Sequence, residues 1–184
     1  MIPTDPAARH AAITAGFTAV ARRVTDWAAP TPVPEWAALD VVQHLVDWST
    51  GFLAAGGVDL PPNPATDPVA RWQAHAASVQ ALLDGPSAEQ EFSHPMAGTH
   101  RLAAAIDNFY TSDVFMHTWD LARASGQPPE LDADEAERLL AGMRPLDAML
   151  RSSGQYGPAQ PVADDAPAPE RLMAFVGRPI PVVE

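Results

Sequence analysis

Three ionisable side chains fall in a segment whose pattern otherwise predicts a buried helix. The stretch FYTSDVFMHTWDLARASG, residues 109–126, contains Asp113, His117 and Asp120. At about 100° per residue, Asp113 and His117 share a helical stripe with the apolar Leu102. An unpaired buried carboxylate is costly, so the pattern predicts a partner charge, a metal ion or water at these side chains.

The spacing of Asp113 and His117 indicates half of a metal site, because residues four apart on a helix can direct their side chains to one point. A third ligand would come from PEWAALDVVQHLVDWSTGF, residues 34–52, where His44 lies at the edge of an apolar stripe. Two imidazoles and one carboxylate would leave coordination positions open for water or substrate, as in catalytic metal sites. Thiolate ligands are excluded because the chain has no cysteine.

Each of these residues also has a structural interpretation. His44 taken alone fits a hydrogen-bonded core histidine, and the Asp–His pair fits an i,i+4 hydrogen bond on a solvated helix face. Asp120, three residues after His117, either orients that imidazole from behind or pairs with an arginine, Arg123 or Arg144. The sequence leaves these alternatives open.

Further residues could line a substrate pocket. His94 and His100 lie in a predicted irregular connection, residues 85–100, from which either imidazole could approach the open metal positions. Arg101 could bind a substrate carboxylate through two hydrogen bonds, or be a solvated residue at a helix start. Trp48, like the other tryptophans, is interpreted first as helix packing and second as a pocket wall.

Proline-rich stretches divide the chain into predicted helices, since repeated proline removes backbone donors. Between these stretches apolar residues recur with helical period, and no period-two alternation is sustained except at the terminal IPVVE, residues 180–184. We predict an all-α fold, a four-helix bundle with additional C-terminal helices, forming a single domain over residues 1–184. The predicted helices cover residues 5–28, 35–55, 66–84, 99–125, 132–152 and 168–176.

Two other histidines lie in these helices without predicted chemistry. His75 follows Trp72 and is expected to pack at the edge of the core. His10 is expected near a frayed helix start. Neither is therefore a predicted ligand.

Composition narrows the classes of partner. The formal net charge is -12, and the eleven basic residues, all arginine, are scattered along the chain. This disfavours binding to nucleic acid or to an anionic membrane surface. No apolar run reaches membrane-spanning length, and the N-terminal residues lack a signal-peptide pattern. A soluble cytoplasmic protein, monomeric or homodimeric, is the expectation.

The segments WAALDVVQHLVDW and SDVFMHTWDLARASG, with the ending DDAPAPERLMAFVGRPI, resemble a known family. It comprises actinobacterial metal-binding proteins related to the N-terminal domain of the mycothiol-dependent maleylpyruvate isomerase, in the DinB-like superfamily. The resemblance covers nearly the whole chain. It implies a four-helix bundle that binds a divalent metal through a histidine of the second helix and an acid-xxx-His pair of the fourth, here His44, Asp113 and His117.

Maleylpyruvate isomerisation itself is not implied. The isomerase pattern has Glu where Asp113 stands, so the shorter side chain would bring the metal closer to the helix axis or admit a water in between. The isomerase also carries a further C-terminal domain that contributes to its active site.

These observations favour a metal-dependent enzyme. A divalent ion, zinc first and nickel or iron as alternatives, would bind mycothiol or another low-molecular-weight thiol and lower its pKa. The thiolate would attack a small electrophilic substrate in a transferase or isomerase reaction. The alternatives are a non-catalytic metal-binding or sensing module, and a helical interaction protein whose polar residues form only a structural network. No Ser-His-Asp set, phosphate-binding glycine loop or dinucleotide motif competes for the chemistry.

Overall fold

The computed structural model describes residues 1–180, most of which are helical, together with one two-stranded sheet. The predicted predominance of helix is therefore confirmed, and the sheet is an addition to the expected all-α fold. Contacts divide the chain into two units, residues 2–129 and Met1 with the residues from 130 onward. Most of the predicted terminal alternation, residues 181–184, lies outside the described residues. The expectation of a single domain stays a prediction.

The first unit contains the helices that carry the candidate ligands. Within residues 1–180, no helix combines the length and apolar composition that crossing a membrane requires. The predicted second and third helices are confirmed to within a few residues, whereas the first ends at Ala21 rather than at residue 28. The elements are α1 (Pro6–Ala21), α2 (Ala38–Ala55), α3 (Pro68–Asp84), a 3-10 turn (Pro86–Glu89), β1 (Glu91–His94), β2 (Gly98–Arg101), α4 (Leu102–Ala105), a π-helical segment (Ile106–Thr111) and α5 (Ser112–Ala124).

Aspartate and proline define where two of these helices begin. Asp5 accepts a hydrogen bond from the Ala8 N–H at 2.9 Å, and Asp67 accepts one from the Ala70 N–H at 2.8 Å. Each aspartate is followed by a proline at the first helical position, where a missing N–H costs nothing and the fixed φ suits a helix. The same local signal therefore starts α1 and α3.

Four helices enclose the core of the first unit. Helix α1 packs against α3 and α5, and α2 packs against the same two helices. Apolar side chains from every one of them are almost completely removed from solvent, which supplies the main stabilising term for such packing. The most buried include Phe17, Leu45, Leu53, Trp72, Val79 and Leu121.

A π-helical segment interrupts the single helix predicted over residues 99–125. A π turn contains an extra residue, so it rotates the preceding helical turn relative to the next one. Tyr110 is consequently 1% exposed, whereas Phe109, which a regular helix would place on the stripe of Leu102, is only half-buried and packs against Phe52. The regular helical period alone could not predict this exchange.

The connection predicted as irregular contains a β-hairpin. Strands β1 and β2 pair antiparallel with Phe92 opposite His100 and His94 opposite Gly98. A three-residue loop joins them, and Gly98 has φ 80°, the left-handed conformation that such loops need at their end. The prediction was wrong here because each strand has only four residues, too few for alternation to be recognised.

The two histidines assigned no chemistry are both buried. His10 is 0% exposed and its Nδ1 lies 2.7 Å from Gln80 Oε1, which corrects its expected place at a frayed start. Because α1 is capped firmly at Asp5, His10 already lies in a complete helical turn. His75, also buried, pairs with Ser49 through an Nε2 to Oγ distance of 2.7 Å.

The second unit has its own small core. Helix α6 (Ala133–Met143) packs against α8 (Ala168–Phe175), and a 3-10 turn (Arg144–Leu146) leads into α7 (Asp147–Ser152). Leu140 and Leu172 are almost completely buried in this core. The predicted fifth helix, residues 132–152, is thus broken at its middle, where Pro145 removes a backbone donor.

Gly56 provides a test of the packing between α2 and the hairpin. A Cβ at this position would overlap the buried ring of Phe92, which has no free space to move aside. We expect Gly56→Ala to destabilise the protein by about 1–3 kcal/mol. Gly51→Ala, inside α2, is the control, since no packed neighbour lies within 4 Å of its Cβ, and it should stabilise by about 0.5–1 kcal/mol. Equal urea midpoints for the two variants would contradict this packing.

His75 should make stability depend on pH. Burial, aided by the nearby His10 and Arg71, lowers the pKa of His75 to about 4. The unfolded chain then binds a proton more readily, so stability is complete above about pH 6.5 and is lost as pH falls toward 4, by about 3 kcal/mol in total. Urea unfolding of wild type and His75→Gln at several pH values measures this loss. The variant should show a shallower decline, and identical declines would refute the assignment.

Candidate metal centre

Helices α2 and α5 bring three of the predicted residues together. Nε2 of His44, on α2, lies 3.1 Å from Oδ2 of Asp113, on α5. Nε2 of His117, one turn further along α5, lies 3.6 Å from the other oxygen, Oδ1. Asp113 therefore stands between two imidazoles, with one carboxylate oxygen toward each.

The donor set fits a divalent cation. One ligand atom from each of the three residues lies within 4.8 Å of the others. Metal–ligand bonds of about 2.0–2.1 Å place neighbouring ligand atoms of a tetrahedral site about 3.3 Å apart. The distances of 3.1 Å and 3.6 Å involve different Asp113 oxygens, so a small shift would bring both imidazoles to one coordinating oxygen. Nitrogen and carboxylate oxygen suit zinc, nickel and iron alike. His44, Asp113 and His117 are thus the residues that would hold such an ion.

Burial across the three residues is graded. The side chain of His117 is 6% exposed, that of Asp113 is 18% exposed and that of His44 is 28% exposed. One side of the group is therefore closed by the protein interior, while the other faces solvent. A ligand from solution would approach the group from the side of His44.

Asp120 lies behind His117. Its side chain is completely buried, and its Oδ2 lies 2.9 Å from Nδ1 of His117. A carboxylate at this distance favours a proton on Nδ1 electrostatically, which leaves the Nε2 lone pair directed at Asp113. Two acceptors then face each other, and only a positive charge between them, a proton or a metal ion, removes the repulsion.

Aromatic rings cover the imidazoles. The ring of Trp36 stacks on His117 with centroids 5.6 Å apart and planes at 13°, and it lies 4.8 Å from the ring of His44. Trp48 also stacks with His44, at a centroid distance of 6.1 Å. An open cleft of about 530 Å³ adjoins these rings. It is lined by Glu35, Trp36, Asp40, Gln43, His44, Asp47 and Trp48.

Glu35 holds an unusual backbone conformation next to Trp36. Its φ is 67°, in the left-handed region that costs a residue with a side chain about 1 kcal/mol or more. It precedes α2 and lies in the loop that a backbone bridge between Pro30 and Ala37 closes. This local strain accompanies the placement of Trp36 over the imidazoles, and no sequence signal predicts it.

The predicted pocket residues are placed differently from one another. Trp48 does line the cleft. His94 lies in the hairpin, where its Nδ1 accepts hydrogen bonds from two backbone N–H groups, and Nε2 of His100 donates to the Ala97 carbonyl at 2.7 Å. Arg101 is exposed and pairs with Glu89. The structure thus brings neither His94, His100 nor Arg101 into the three-residue group or the lining of the cleft.

Comparison with known proteins finds relatives in Mycobacterium tuberculosis. "Uncharacterized protein MT0763" of strain CDC 1551 / Oshkosh and "Uncharacterized protein Rv0738" of strain ATCC 25618 / H37Rv are each 31% identical to the chain over 188 residues. The match spans 96% of the chain and 99% of each relative. The chain belongs to the family of these two mycobacterial proteins. No family model and no solved structure matches it.

Membership of this mycobacterial family agrees with the predicted actinobacterial relationship. The names of the two relatives assign no activity, so function must be inferred from the site itself. Trp36 and Glu35 are the parts of that site that the sequence pattern does not mark. From the sequence, every tryptophan is interpreted first as part of the helix packing. The position of Trp36, shortly before His44 in the chain, is the one signal that could have indicated that its ring lies over the imidazoles.

Proposed function

We propose that the chain binds one divalent metal ion through His44, Asp113 and His117 and uses it to activate a low-molecular-weight thiol toward a small electrophile. The observation that carries this proposal is the convergence of two imidazoles on the two oxygens of one carboxylate. Zinc is the first choice, with nickel or iron as alternatives, because N/O sites discriminate weakly among these ions by affinity.

The partial exposure of the group supports a reactive site over a purely structural network. A buried network needs no access, whereas here His44 faces an open cleft with tryptophan walls. Three protein ligands leave coordination positions for an incoming molecule. Trp36 and Trp48 would exclude water from the faces of the imidazoles and position an organic ligand beside them.

Each polar residue has a separate role in this proposal. When bound, the ion supplies positive charge that lowers the pKa of a coordinating thiol. Asp120 keeps the Nδ1 proton of His117 and so aims its Nε2 lone pair at the site. Since the chain has no cysteine, the thiol comes from a small molecule, and mycothiol is the proposed cosubstrate on the strength of the family resemblance.

The same resemblance underlies the finer proposal for the fold, a DinB-like four-helix bundle. The closed set of contacts among α1, α2, α3 and α5 supports it, and so does the position of the ligands on the second and last of these helices. We also propose the cytoplasm as the compartment, since a free thiol cosubstrate requires reducing conditions.

Metal content tests the site. The purified wild-type chain should carry about one divalent ion per chain by elemental analysis after dialysis, because three ligands converge. His117→Ala should lose most of this metal. His94→Ala is the control, since it removes a histidine outside the group. Equal metal content in wild type and His117→Ala would sink the ligand assignment.

Thiol binding tests the chemistry. Cobalt-substituted protein titrated with mycothiol, or with a glucosamine-linked cysteine analogue, should develop a sulfur-to-metal charge-transfer absorption. A serine analogue of the same compound should give no such band. If metal-loaded protein shows neither this band nor thiol-dependent turnover with a panel of electrophiles, the enzyme proposal fails and a non-catalytic metal-binding module replaces it.

A further inference from the structure

A second polar cluster lies inside the first unit, apart from the three candidate ligands. It consists of His10 on α1, Ser49 on α2, His75 on α3 and Tyr110 in the π-helical segment, each at most 3% exposed. The ring of Tyr110 lies 5.9 Å from that of His10 and 5.7 Å from that of His75. Four different elements therefore direct one polar side chain each into the core.

The hydrogen bonds of Gln80 define the tautomer of His10. The Gln80 side-chain N–H groups donate to the Ala7 carbonyl and to Asp84, so its oxygen faces His10 and accepts the Nδ1 proton. Burial lowers the pKa of His10, which keeps the ring neutral near pH 7. Its Nε2 is then an acceptor, and it has no hydrogen-bond partner among the described residues.

Ser49 and His75 form a hydrogen bond with each other. The Ser49 hydroxyl donates to the Leu45 carbonyl at 2.6 Å, so its oxygen accepts from Nε2 of His75 at 2.7 Å and keeps one lone pair. Tyr110 is different, because its hydroxyl lies near Ser49 but makes no hydrogen bond of acceptable geometry with any described residue. Burial, together with the charge of Asp113, raises the pKa of Tyr110 well above its usual value, so the hydroxyl remains a donor.

The cluster thus contains one buried acceptor and one buried donor without partners. Leaving such groups unpaired in a core is destabilising, and native proteins satisfy nearly all of them. An interior water needs two to four polar partners, and this location offers three complementary ones.

We propose that the cluster is a binding site for one ordered internal water. The water accepts from the Tyr110 hydroxyl and donates to Nε2 of His10, and its second hydrogen reaches the remaining lone pair of Ser49. It ties α1 and α2 to the π-helical segment. This site does not depend on the proposed metal or thiol.

Through Tyr110, the proposed water also affects the packing beside the candidate metal centre. Tyr110 precedes Asp113 by three residues, and its ring stacks with that of Trp48 at 6.4 Å, which also stacks with His44 at 6.1 Å. Holding Tyr110 inward therefore supports the tryptophan that lines the cleft.

Whether Tyr110→Phe destabilises or stabilises the protein shows whether the cluster contains a water or is dry. With the water present, Tyr110→Phe removes a hydrogen bond and should raise the unfolding equilibrium constant about fivefold. In a dry core the same change removes an unpaired donor and should lower that constant. In a His10→Leu background, where the water has lost its acceptor, the effect of Tyr110→Phe should shrink to less than about twofold.

Equal effects of Tyr110→Phe in the two backgrounds, or stabilisation in the wild-type background, would overturn the proposal. If His10→Leu does not fold, a crystal structure at high resolution decides alone. Density within about 2.6–3.2 Å of both His10 Nε2 and Tyr110 Oη, absent in Tyr110→Phe, supports the water. A direct hydrogen bond from Tyr110 to Ser49 with no density between Tyr110 and His10 refutes it.

Discussion

The carboxylate of Asp113 lies between two imidazoles from two helices, and its negative charge must be balanced there by donated N–H groups or by a cation. Each Asp113 oxygen faces one Nε2, at 3.1 Å for His44 and 3.6 Å for His117. Because Asp120 is buried beside Nδ1 of His117, a neutral His117 ring can donate its single N–H to only one of the two carboxylates. In a structural network, a proton would balance the remaining negative charge. In a catalytic metal site, a divalent ion would balance it.

The surrounding structure serves that electrostatic requirement. The packing of α2 against α5 sets the distance between His44 and Asp113, and the rings of Trp36 and Trp48 reduce the water around the imidazoles. Lower local polarity strengthens every interaction of the carboxylate. At the same time the cleft beside His44 keeps one side open. The group is therefore neither fully buried nor fully solvated, so a molecule from solution can reach it.

The π-helical segment separates two polar regions of the same core. It turns Tyr110 toward His10 and His75 on the side of α1 and α3. The next turn of α5 directs Asp113 to α2. A regular α-helix would rotate one set away from its partners, since one extra residue changes the direction of a side chain by about 100°. The two clusters can coexist because the helix departs from regular geometry between them.

Local patterns in the sequence determined the long helices, their aspartate–proline starts and the Asp113–His117 pair, because helical period and i,i+4 spacing are properties of a single segment. Tertiary structure alone decided the rest. The hairpin that removes His94 and His100 from the centre depends on pairing between strands too short to show a pattern. The covering position of Trp36, the burial of His10 and the π turn at Tyr110 each depend on which other elements pack beside them. Contacts between residues distant in the chain set those outcomes, and no single segment contains that information.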